Sequence, residues 1–297
     1  MLTDFNKQFP NTEPLLLCYS GSHLYGTNRE GSDIDIRGVV IPPQEYLVGL
    51  SKTFECYEQP DADTKIWSLK KFLKMVMDGD PQTTEMLFTP TNQVISCDKQ
   101  FHEELMCNRD KIVSMNIYNR LMGFSYSEMR KVRCEKIVFD KLPLDVDNLR
   151  TNLVSYMREN NADKAVTDDI LDKLDVYRKF TVVSSKSNLG AKRKKEFEQF
   201  GYCTSSAVHS IRLLMELEEL LITGQITFPR AEAGLLKDIR FGKLNIDQVE
   251  KVYNEIKSSV EGLKEKTKLR AKPDSEFIES WYNRLVMENL CKSSKQN

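Results

Sequence analysis

A glycine and a serine, Gly21 and Ser22, precede two aspartates, Asp33 and Asp35, that are separated by a single residue. Glycine lets the backbone approach a ligand closely, and serine adds a hydroxyl and an N–H group that can meet phosphate oxygens. Two carboxylates on one face repel each other unless a cation lies between them, and such hard oxygen ligands suit Mg²⁺ or Mn²⁺. Residues 21–38 therefore contain the residue types needed to bind a nucleoside triphosphate together with a divalent metal ion.

Two short strands are predicted to position these groups. The apolar run at residues 15–19 is typical of a buried strand, which places the glycine turn at a strand end. Residues 33–37 alternate between polar and apolar side chains, and residues two apart on a strand share a face. The predicted polar face consists of Asp33, Asp35 and Arg37, and the predicted buried face of Ile34 and Ile36.

Other interpretations of this segment fit less well. Residues 21–26 have the outer spacing of a P-loop, but Thr27 and Asn28 follow where that motif needs Lys and then Ser or Thr. The aspartates have the spacing of the start of a calcium loop, but Gln44 stands where the loop needs Glu. A sugar-nucleotide transferase would explain the paired acids but not the Gly-Ser turn. The remaining alternative has no catalytic role: a plain hairpin whose acids cap turns.

The segment resembles the signature of the DNA polymerase beta-type nucleotidyltransferase superfamily, a Gly-Ser turn followed by Asp-x-Asp on the next strand. Its fuller form, Gly-Ser-x-x-Tyr-Gly-Thr and then Ser-Asp-x-Asp-x-Arg-Gly-Val, is similar to a group of nucleotidyltransferases associated with RNA ligases in bacteria and phages. This resemblance implies an α+β fold, with a small mixed-sheet nucleotidyltransferase core followed by a mostly helical C-terminal region. Further similar segments are residues 70–73, 79–81, 85–88, 209–214 and 223–224.

The resemblance also implies a third acid on a later strand. Asp63 stands at the head of a predicted strand over residues 64–69, which leads into a predicted helix over residues 70–77. Glu55 and Glu58 are alternatives, and Asp63 could instead be a turn residue. Glu85 could support the site, although an acid in the first turn of a helix needs no functional explanation. The predicted catalytic and metal-binding residues are Asp33, Asp35 and Asp63.

A second polar cluster lies on a predicted helix further along the chain. Ser205, His209, Arg212 and Glu216 recur at spacings of four, three and four residues, so they share one helical face. Arginine offers a fork of donors to phosphate, and the resemblance favours a nucleotide-binding role over a merely solvated face. The predicted nucleotide-binding residues are Gly21, Ser22, Arg37, His209 and Arg212.

Ser205 marks a departure from the family pattern, because relatives commonly carry Lys four residues before this His. If that Lys holds phosphates, this chain needs another cation for the same purpose. The candidate substitutes are Arg29, Arg37 and Lys65.

The composition is that of an ordinary soluble chain of 297 residues with a net charge of −1. Strong, indiscriminate binding to nucleic-acid backbones needs concentrated positive charge, which this balance does not provide. The sequence shows neither a long apolar run nor a leader-like N-terminus, so we expect a cytoplasmic protein with no membrane partner. Seven cysteines without a Cys-x-x-Cys spacing agree with reduced thiols.

We expect a catalytic core over residues 1–110 and a helical domain over residues 111–297 that closes over the active-site cleft. Residues 141–145 are a predicted connector. Helical periodicity is predicted over residues 101–111, 115–136, 147–160, 169–180, 192–222, 231–239, 246–269 and 275–290.

The resemblance implies transfer of a nucleoside monophosphate from a nucleoside triphosphate to an acceptor hydroxyl, with Mg²⁺ or Mn²⁺ as cofactor and release of pyrophosphate. An RNA 3′ end, such as that of a damaged tRNA, is the first acceptor to expect because of the association with RNA ligases. A transferase that modifies Ser, Thr or Tyr of a protein needs the same core. A nucleotide-binding module without turnover is the third interpretation, and the missing Lys at Ser205 is its one argument.

Charge reversal of the basic run at residues 192–195 is expected to raise the Michaelis constant for a nucleic-acid acceptor. Four consecutive cations can guide a phosphate-bearing acceptor, although such a run is also typical of a solvated helix face. Steady-state kinetics with an RNA acceptor test this expectation. An unchanged Michaelis constant would assign the run to the solvated face.

Overall fold

The computed structural model describes residues 3–10, 12–59, 63–132, 146–160, 168, 170–171 and 191–293. The chain divides into two compact units, one formed by residues 1–128 with 207–297 and the other by residues 129–206. The predicted boundary at residue 110 does not coincide with these units, because residues 207–297 pack together with the N-terminal part of the chain.

A five-stranded mixed sheet forms the centre of the first unit, in the order β3-β4-β2-β1-β5. Strand β2 pairs antiparallel with β1 and parallel with β4, while β3 and β5 are antiparallel to their neighbours β4 and β1. Together with the helices that dominate the C-terminal region, this sheet confirms the predicted α+β class. The strands are β1 (Pro14–Ser20), β2 (Asp35–Val40), β3 (Cys56–Gln59), β4 (Thr64–Ser68) and β5 (Val94–Cys97).

Helices dominate the chain after the sheet. Those between and beside the strands are α1 (Thr3–Gln8), α2 (Gly21–Tyr25), α3 (Gln44–Leu47), α4 (Leu69–Met77) and α5 (Pro81–Leu87). Those that follow β5 are α6 (Lys99–Cys107), α7 (Arg109–Ile112), α8 (Asn116–Val132), α9 (Val146–Glu159), α10 (Ala191–Phe200), α11 (Thr204–Thr223), α12 (Ala233–Arg240), α13 (Ile246–Leu263) and α14 (Ser275–Ser293).

The capping chemistry of α4 and α5 explains why the chain turns at these points. The Ser68 hydroxyl at the end of β4 accepts a hydrogen bond from the Lys71 N–H at 3.1 Å, which converts the strand directly into helix α4. Asp80 caps α5 in the same way through the Thr83 N–H at 3.0 Å, and Pro81 occupies the first turn. Short, capped connections therefore place α4 directly after β4 and α5 directly after α4.

One apolar core joins the sheet to helices from both ends of the chain. Buried side chains of β1 and β2 pack with the apolar face of α4, and Leu213 and Leu217 of α11 lie in the same cluster. Trp281 of α14 also belongs to it, stacked on Phe101 with a ring-centroid distance of 5.5 Å. Burial of this apolar surface ties the C-terminal helices to the strands that carry the acids.

The start of β2 differs from the prediction. Ladder pairing with β1 begins at Asp35 opposite Ser20, so Asp33 and Ile34 precede the strand. Ile36 is buried as expected, but Ile34 is 48% exposed, and its predicted burial is therefore wrong. Alternation predicts a face only where the residue has a partner strand, and Ile34 has none.

Two predicted helices are each divided in the structure. The helix expected over residues 101–111 is interrupted between α6 and α7. The helix expected over residues 192–222 ends at Phe200 and restarts at Thr204, because Gly201 adopts a φ of 77° while its N–H closes the last turn on the Phe197 carbonyl at 2.8 Å. The Cys203 N–H then donates to the Val132 carbonyl at 2.8 Å. The predicted helix over residues 169–180 lies mostly outside the described residues, and the connector at residues 141–145 lies entirely outside them.

No helix within the described ranges combines the length and the apolar character needed to cross a lipid bilayer.

Gly79→Ala is expected to destabilise the protein more than Gly224→Ala. Both glycines follow helices at positive φ, 76° and 74°, where an L side chain costs roughly 1–2 kcal/mol. A Cβ at Gly79 would lie 2.5 Å from the Ile117 Cα, whereas a Cβ at Gly224 meets nothing within 4 Å. Denaturant unfolding of both variants measures the difference, and equal losses of stability would contradict the close approach of α8 to this turn.

Candidate active site

The Gly-Ser turn lies directly against the second aspartate of the pair. Strand β1 ends at Ser20, which is opposite Asp35 in the ladder, and α2 begins at Gly21 with φ at 62°. A Cβ added at Gly21 would lie 1.7 Å from Asp35 Oδ2, so only glycine fits here. The turn and the carboxylate, which lie fourteen positions apart in the chain, thus form one surface.

Asp35 and Asp63 lie side by side because their strands run parallel and begin at the same edge of the sheet. Ile36 pairs with Thr64, and the Ile36 N–H donates to the Asp63 carbonyl at 2.9 Å just before β4. The negative charge of Asp63 lies close enough to Asp35 to raise the pKa of Asp35. The structure therefore brings together two of the three predicted acids.

The pKa values of the two carboxyl groups shift in opposite directions. Burial, followed by the hydrogen bond and the negative charge of Asp63, raises the pKa of Asp35 from 3.8 to about 6. Burial alone would also raise the pKa of Asp63, but the hydrogen bond with Asp35 and the Arg37 guanidinium outweigh it and lower that pKa. Two such carboxylates held at one strand edge are the donor set that a hard divalent cation needs, so the pair fits Mg²⁺ or Mn²⁺.

Arg37 is buried beneath this pair, with 4% of its surface exposed. One guanidinium nitrogen, Nη1, forms an ion pair with Asp63 Oδ1 at 3.0 Å. The same nitrogen donates to the carbonyls of Ile36 at 2.9 Å and Asp63 at 2.7 Å. These contacts favour a role in holding Asp63 in place, and the nucleotide-binding assignment of Arg37 stays a prediction.

The remaining predicted acids, Asp33, Glu55 and Glu58, differ in their surroundings. Asp33 is exposed just before β2, and its charge contributes to the raised pKa of Asp35. Of the two alternatives for the third acid, Glu58 forms an ion pair with Lys65 at 2.9 Å and Glu55 one with Lys71 at 3.1 Å. Across the described residues, no group of three or more His, Cys, Asp or Glu side chains is arranged to hold a metal ion.

A buried ionic network lies at the other end of α2. Arg212 of α11 donates from Nη1 to Glu85 Oε1 at 2.6 Å and to Glu216 Oε1 at 2.5 Å. The Tyr25 hydroxyl donates to the second oxygen of Glu85 at 2.6 Å, and the Arg212 guanidinium lies 3.9 Å from the Tyr25 ring centroid. The carboxylates raise the pKa of Arg212 well above its ordinary value although burial opposes this, so the guanidinium stays charged.

His209 and Ser205 occupy different surroundings on α11. His209 is exposed, and its Nδ1 lies 3.2 Å from Arg212 Nη2. Ser205, the departure from the resembled pattern, is bound to the Glu196 carboxylate through its N–H at 2.9 Å and its hydroxyl at 2.6 Å. Of the suggested substitute cations, Lys65 is paired with Glu58 and Arg29 is exposed.

Sequence reasoning missed the role of Tyr25 and the pairing of Glu216 with Arg212. Tyr25 belongs to the Gly-Ser-x-x-Tyr motif, and Glu216 follows Arg212 by four residues, so both signals were present. Glu85 accepts hydrogen bonds from both Tyr25 and Arg212. It is 127 positions from Arg212, a separation that no local sequence pattern reports.

A mixed sheet with a Gly-Ser turn against paired aspartates defines a DNA polymerase beta-type nucleotidyltransferase. The chain belongs to the RlaP family, an RNA repair pathway DNA polymerase beta family, whose model matches residues 2–289. Membership confirms the resemblance seen in the sequence and indicates nucleotidyltransferase activity in an RNA repair context. The chain is also similar to an uncharacterized 38.9 kDa protein in the nrdC-mobD intergenic region of Enterobacteria phage T4, at 24% identity over 324 residues that cover 91% of this chain and 96% of the relative.

The free energy of unfolding of the Glu216→Gln variant, compared with that of the unmodified protein, is expected to increase as the pH rises from about 5 to about 8. Burial, partly offset by the Arg212 charge, raises the pKa of Glu216 from 4.5 to about 7. Between these values the folded protein holds a proton that the unfolded chain releases, so stability is present at low pH and lost as the pH rises through this window.

The side-chain amide of this variant cannot ionise, but its oxygen still accepts a hydrogen bond from Arg212. The difference in unfolding free energy between the variant and the unmodified protein should therefore change by on the order of 1–3 kcal/mol across this pH window. Denaturant titrations at several pH values measure it. Glu255→Gln, which alters an exposed pair with Lys251 at 3.9 Å, is the matched control with a flat difference. Parallel pH curves for Glu216→Gln and the unmodified protein would show that Glu216 is already ionised in the folded state.

Proposed function

We propose that this protein transfers a nucleoside monophosphate from a nucleoside triphosphate to an acceptor hydroxyl and releases pyrophosphate. The single observation that carries the proposal is the placement of the Asp35 carboxylate against the Gly21 turn, with Asp63 beside it at the start of the neighbouring parallel strand. Family membership supplies the reaction class. We propose the 3′ end of an RNA, such as a damaged tRNA, as the acceptor, because the family is described as acting in RNA repair.

Asp35 and Asp63 are the residues proposed to hold Mg²⁺ or Mn²⁺, with exposed Asp33 as the third ligand. When bound, the ion supplies Lewis-acid stabilisation of the charge that develops on the phosphate oxygens. The carboxylates repel each other without a cation, which is one cause of the raised pKa of Asp35, and a bound divalent ion would remove that repulsion.

Phosphate binding and proton transfer are assigned to residues of the chain itself. The backbone at Gly21 and the Ser22 hydroxyl are proposed to bind the β- and γ-phosphates, because they lie at the start of α2, directly against Asp35. Arg37 orients Asp63 and keeps it ionised, which leaves a carboxylate that can receive the proton of the attacking hydroxyl. As the new bond to the α-phosphorus forms, the bond to pyrophosphate breaks.

A protein acceptor is the second candidate. The net charge of −1 favours it, because binding of a nucleic-acid backbone gains from concentrated positive charge. An NMP could then be moved to a Ser, Thr or Tyr hydroxyl by the same core. Incubation with each of the four α-labelled nucleoside triphosphates, Mg²⁺ or Mn²⁺, and separate RNA and protein acceptors distinguishes the two, since the label appears on one acceptor class or the other.

Asp35→Ala is expected to abolish metal-dependent transfer of label while leaving the fold intact. Removing one of two adjacent carboxylates relieves their repulsion, so the unfolding midpoint should not fall. The matched control is Asp238→Ala, which removes an exposed carboxylate paired with Lys243 at 2.7 Å and should leave transfer unchanged. Undiminished transfer by Asp35→Ala would refute the assignment of this carboxylate.

A further inference from the structure

A short basic segment, residues 264–272, joins α13 to α14. It contains five cations and one acid, which gives it a net charge of +4. Because the whole chain has a net charge of −1, the other residues together carry −5. The cations stand at every second position: Lys264, Lys266, Lys268, Arg270 and Lys272.

The five cations of the basic segment are exposed, whereas the side chains between the middle ones turn toward the protein. Thr267 and Leu269 are half-buried, and Leu269 packs against the apolar core of the first unit, as does Leu263 at the end of α13. Side chains that alternate along an extended chain point to opposite sides. The positive charge is therefore presented on the outer side of the segment.

Backbone hydrogen bonds fix the end of the basic segment to residues 111–115. The Met115 N–H donates to the Arg270 carbonyl at 2.8 Å, and the Asp274 N–H donates to the Lys111 carbonyl at 2.8 Å. A bridge between Ser114 and Arg270 lies between these two bonds. The segment is thus a formed surface, and a ligand that binds there does not have to order it first.

Most of this charge is not compensated within the molecule. Arg270 pairs with Asp274 at 3.3 Å, and the Lys264 ammonium lies 5.2 Å from the Tyr118 ring centroid. In the part of the chain that the structure describes, no carboxylate forms an ion pair with Lys264, Lys266, Lys268 or Lys272. Neighbouring cations repel each other, so a ligand with several negative charges gains free energy by binding to all of them at once.

The chemistry of the basic segment favours an RNA backbone over other polyanions. Phosphates form a line of regularly spaced charges, and a line of exposed cations on a fixed segment is complementary to it. A lipid surface would also be bound by exposed apolar side chains beside the cations, but Leu269 is turned toward the protein. The carboxylates of an acidic protein have no such regular spacing.

We propose that the basic segment binds the phosphate backbone of an RNA, independently of its base sequence, through Lys264, Lys266, Lys268 and Lys272. The inference deepens the proposed function and rests on it for the RNA as acceptor. Phosphate contacts position a nucleic acid without reading its bases, and the segment belongs to the same compact unit as the acids. An RNA extends over many nucleotides from its 3′ end, so the contacts that hold its backbone need not lie at the acids.

The salt dependence of RNA binding tests the proposal without turnover. The dissociation constant of a single-stranded RNA of about 12 nucleotides is measured by fluorescence anisotropy between about 50 and 200 mM salt. The segment variant combines Lys264→Gln, Lys266→Gln, Lys268→Gln and Lys272→Gln. Each lost phosphate contact removes about 0.7 from the slope of log affinity against log salt, so the slope should become shallower by at least about 1.4, the contribution of two contacts. A smaller change overturns the proposal.

The matched control removes the same number of exposed lysines elsewhere in the first unit, each of them paired with a carboxylate. It combines Lys7→Gln, Lys52→Gln, Lys243→Gln and Lys251→Gln. The slope of this control should stay within about 0.7 of the unmodified protein, which is less than one phosphate contact. Equal changes in the two variants would assign the effect to overall charge and overturn the proposal. Equal unfolding midpoints are expected for both variants, because exposed side chains contribute little to stability.

The class of ligand is tested with other probes on the same protein. The loss of affinity in the segment variant should be the same for oligoadenylate and oligouridylate, because phosphates carry no sequence information. A loss confined to one of the two overturns binding through the backbone. Tighter binding of polyglutamate of similar charge, or of phosphatidylserine vesicles, than of RNA at the same salt concentration overturns the choice of RNA.

Steady-state transfer separates this surface from the proposed function. The segment variant should raise KM for the RNA acceptor at least about tenfold and leave KM for the nucleotide within about twofold, since its lysines are assigned to the acceptor alone. An unchanged KM for RNA overturns the role of the segment in holding the acceptor. If the unmodified protein transfers nothing to RNA, the proposed acceptor is wrong, and the salt dependence still decides whether the segment binds RNA.

Discussion

The parallel pairing of β2 with β4 is the constraint on which the candidate active site depends. It aligns the starts of the two strands at one edge of the sheet. There β2 begins at Asp35, and β4 begins at Thr64, directly after Asp63. Two carboxylates are held there at a separation that they would not adopt in a flexible chain, because their charges repel. The free energy for this placement comes from the ladder hydrogen bonds and from the apolar core beneath the sheet.

Buried arginines compensate the charges that this arrangement requires. Arg37 is bonded to Asp63, and Arg212 is bonded to Glu85 and Glu216, all within the first unit. Removing a charge from water costs several kcal/mol, which only well-placed partners offset, so such groups are retained where position matters more than stability. In this protein both arginines lie beside the helix and the strand that carry the Gly-Ser turn and the acids. The network of arginines and carboxylates thereby connects α11 to the turn through Glu85 and Tyr25.

Much of the fold could be predicted because its signals are local. The apolar run of β1, the capped start of α4 and the helical periods of α13 and α14 all arise from neighbouring residues. Ile34 was misjudged because its exposure depends on where a partner strand begins. The break between α10 and α11 was missed although Gly201, which adopts a φ of 77° there, is a local stop signal for a helix.

By itself, the sequence determined the chemical class of the protein, since a Gly-Ser turn and alternating aspartates are set by residue type and spacing within eighteen positions. It also determined which groups could carry charge. Only the tertiary structure decided which charges meet: Asp63 rather than Glu55 or Glu58 lies beside Asp35, and Arg212 is enclosed by Glu85, Glu216 and Tyr25. The physical reason is that contacts between residues far apart in sequence follow from strand pairing and core packing, which neither composition nor spacing encodes locally.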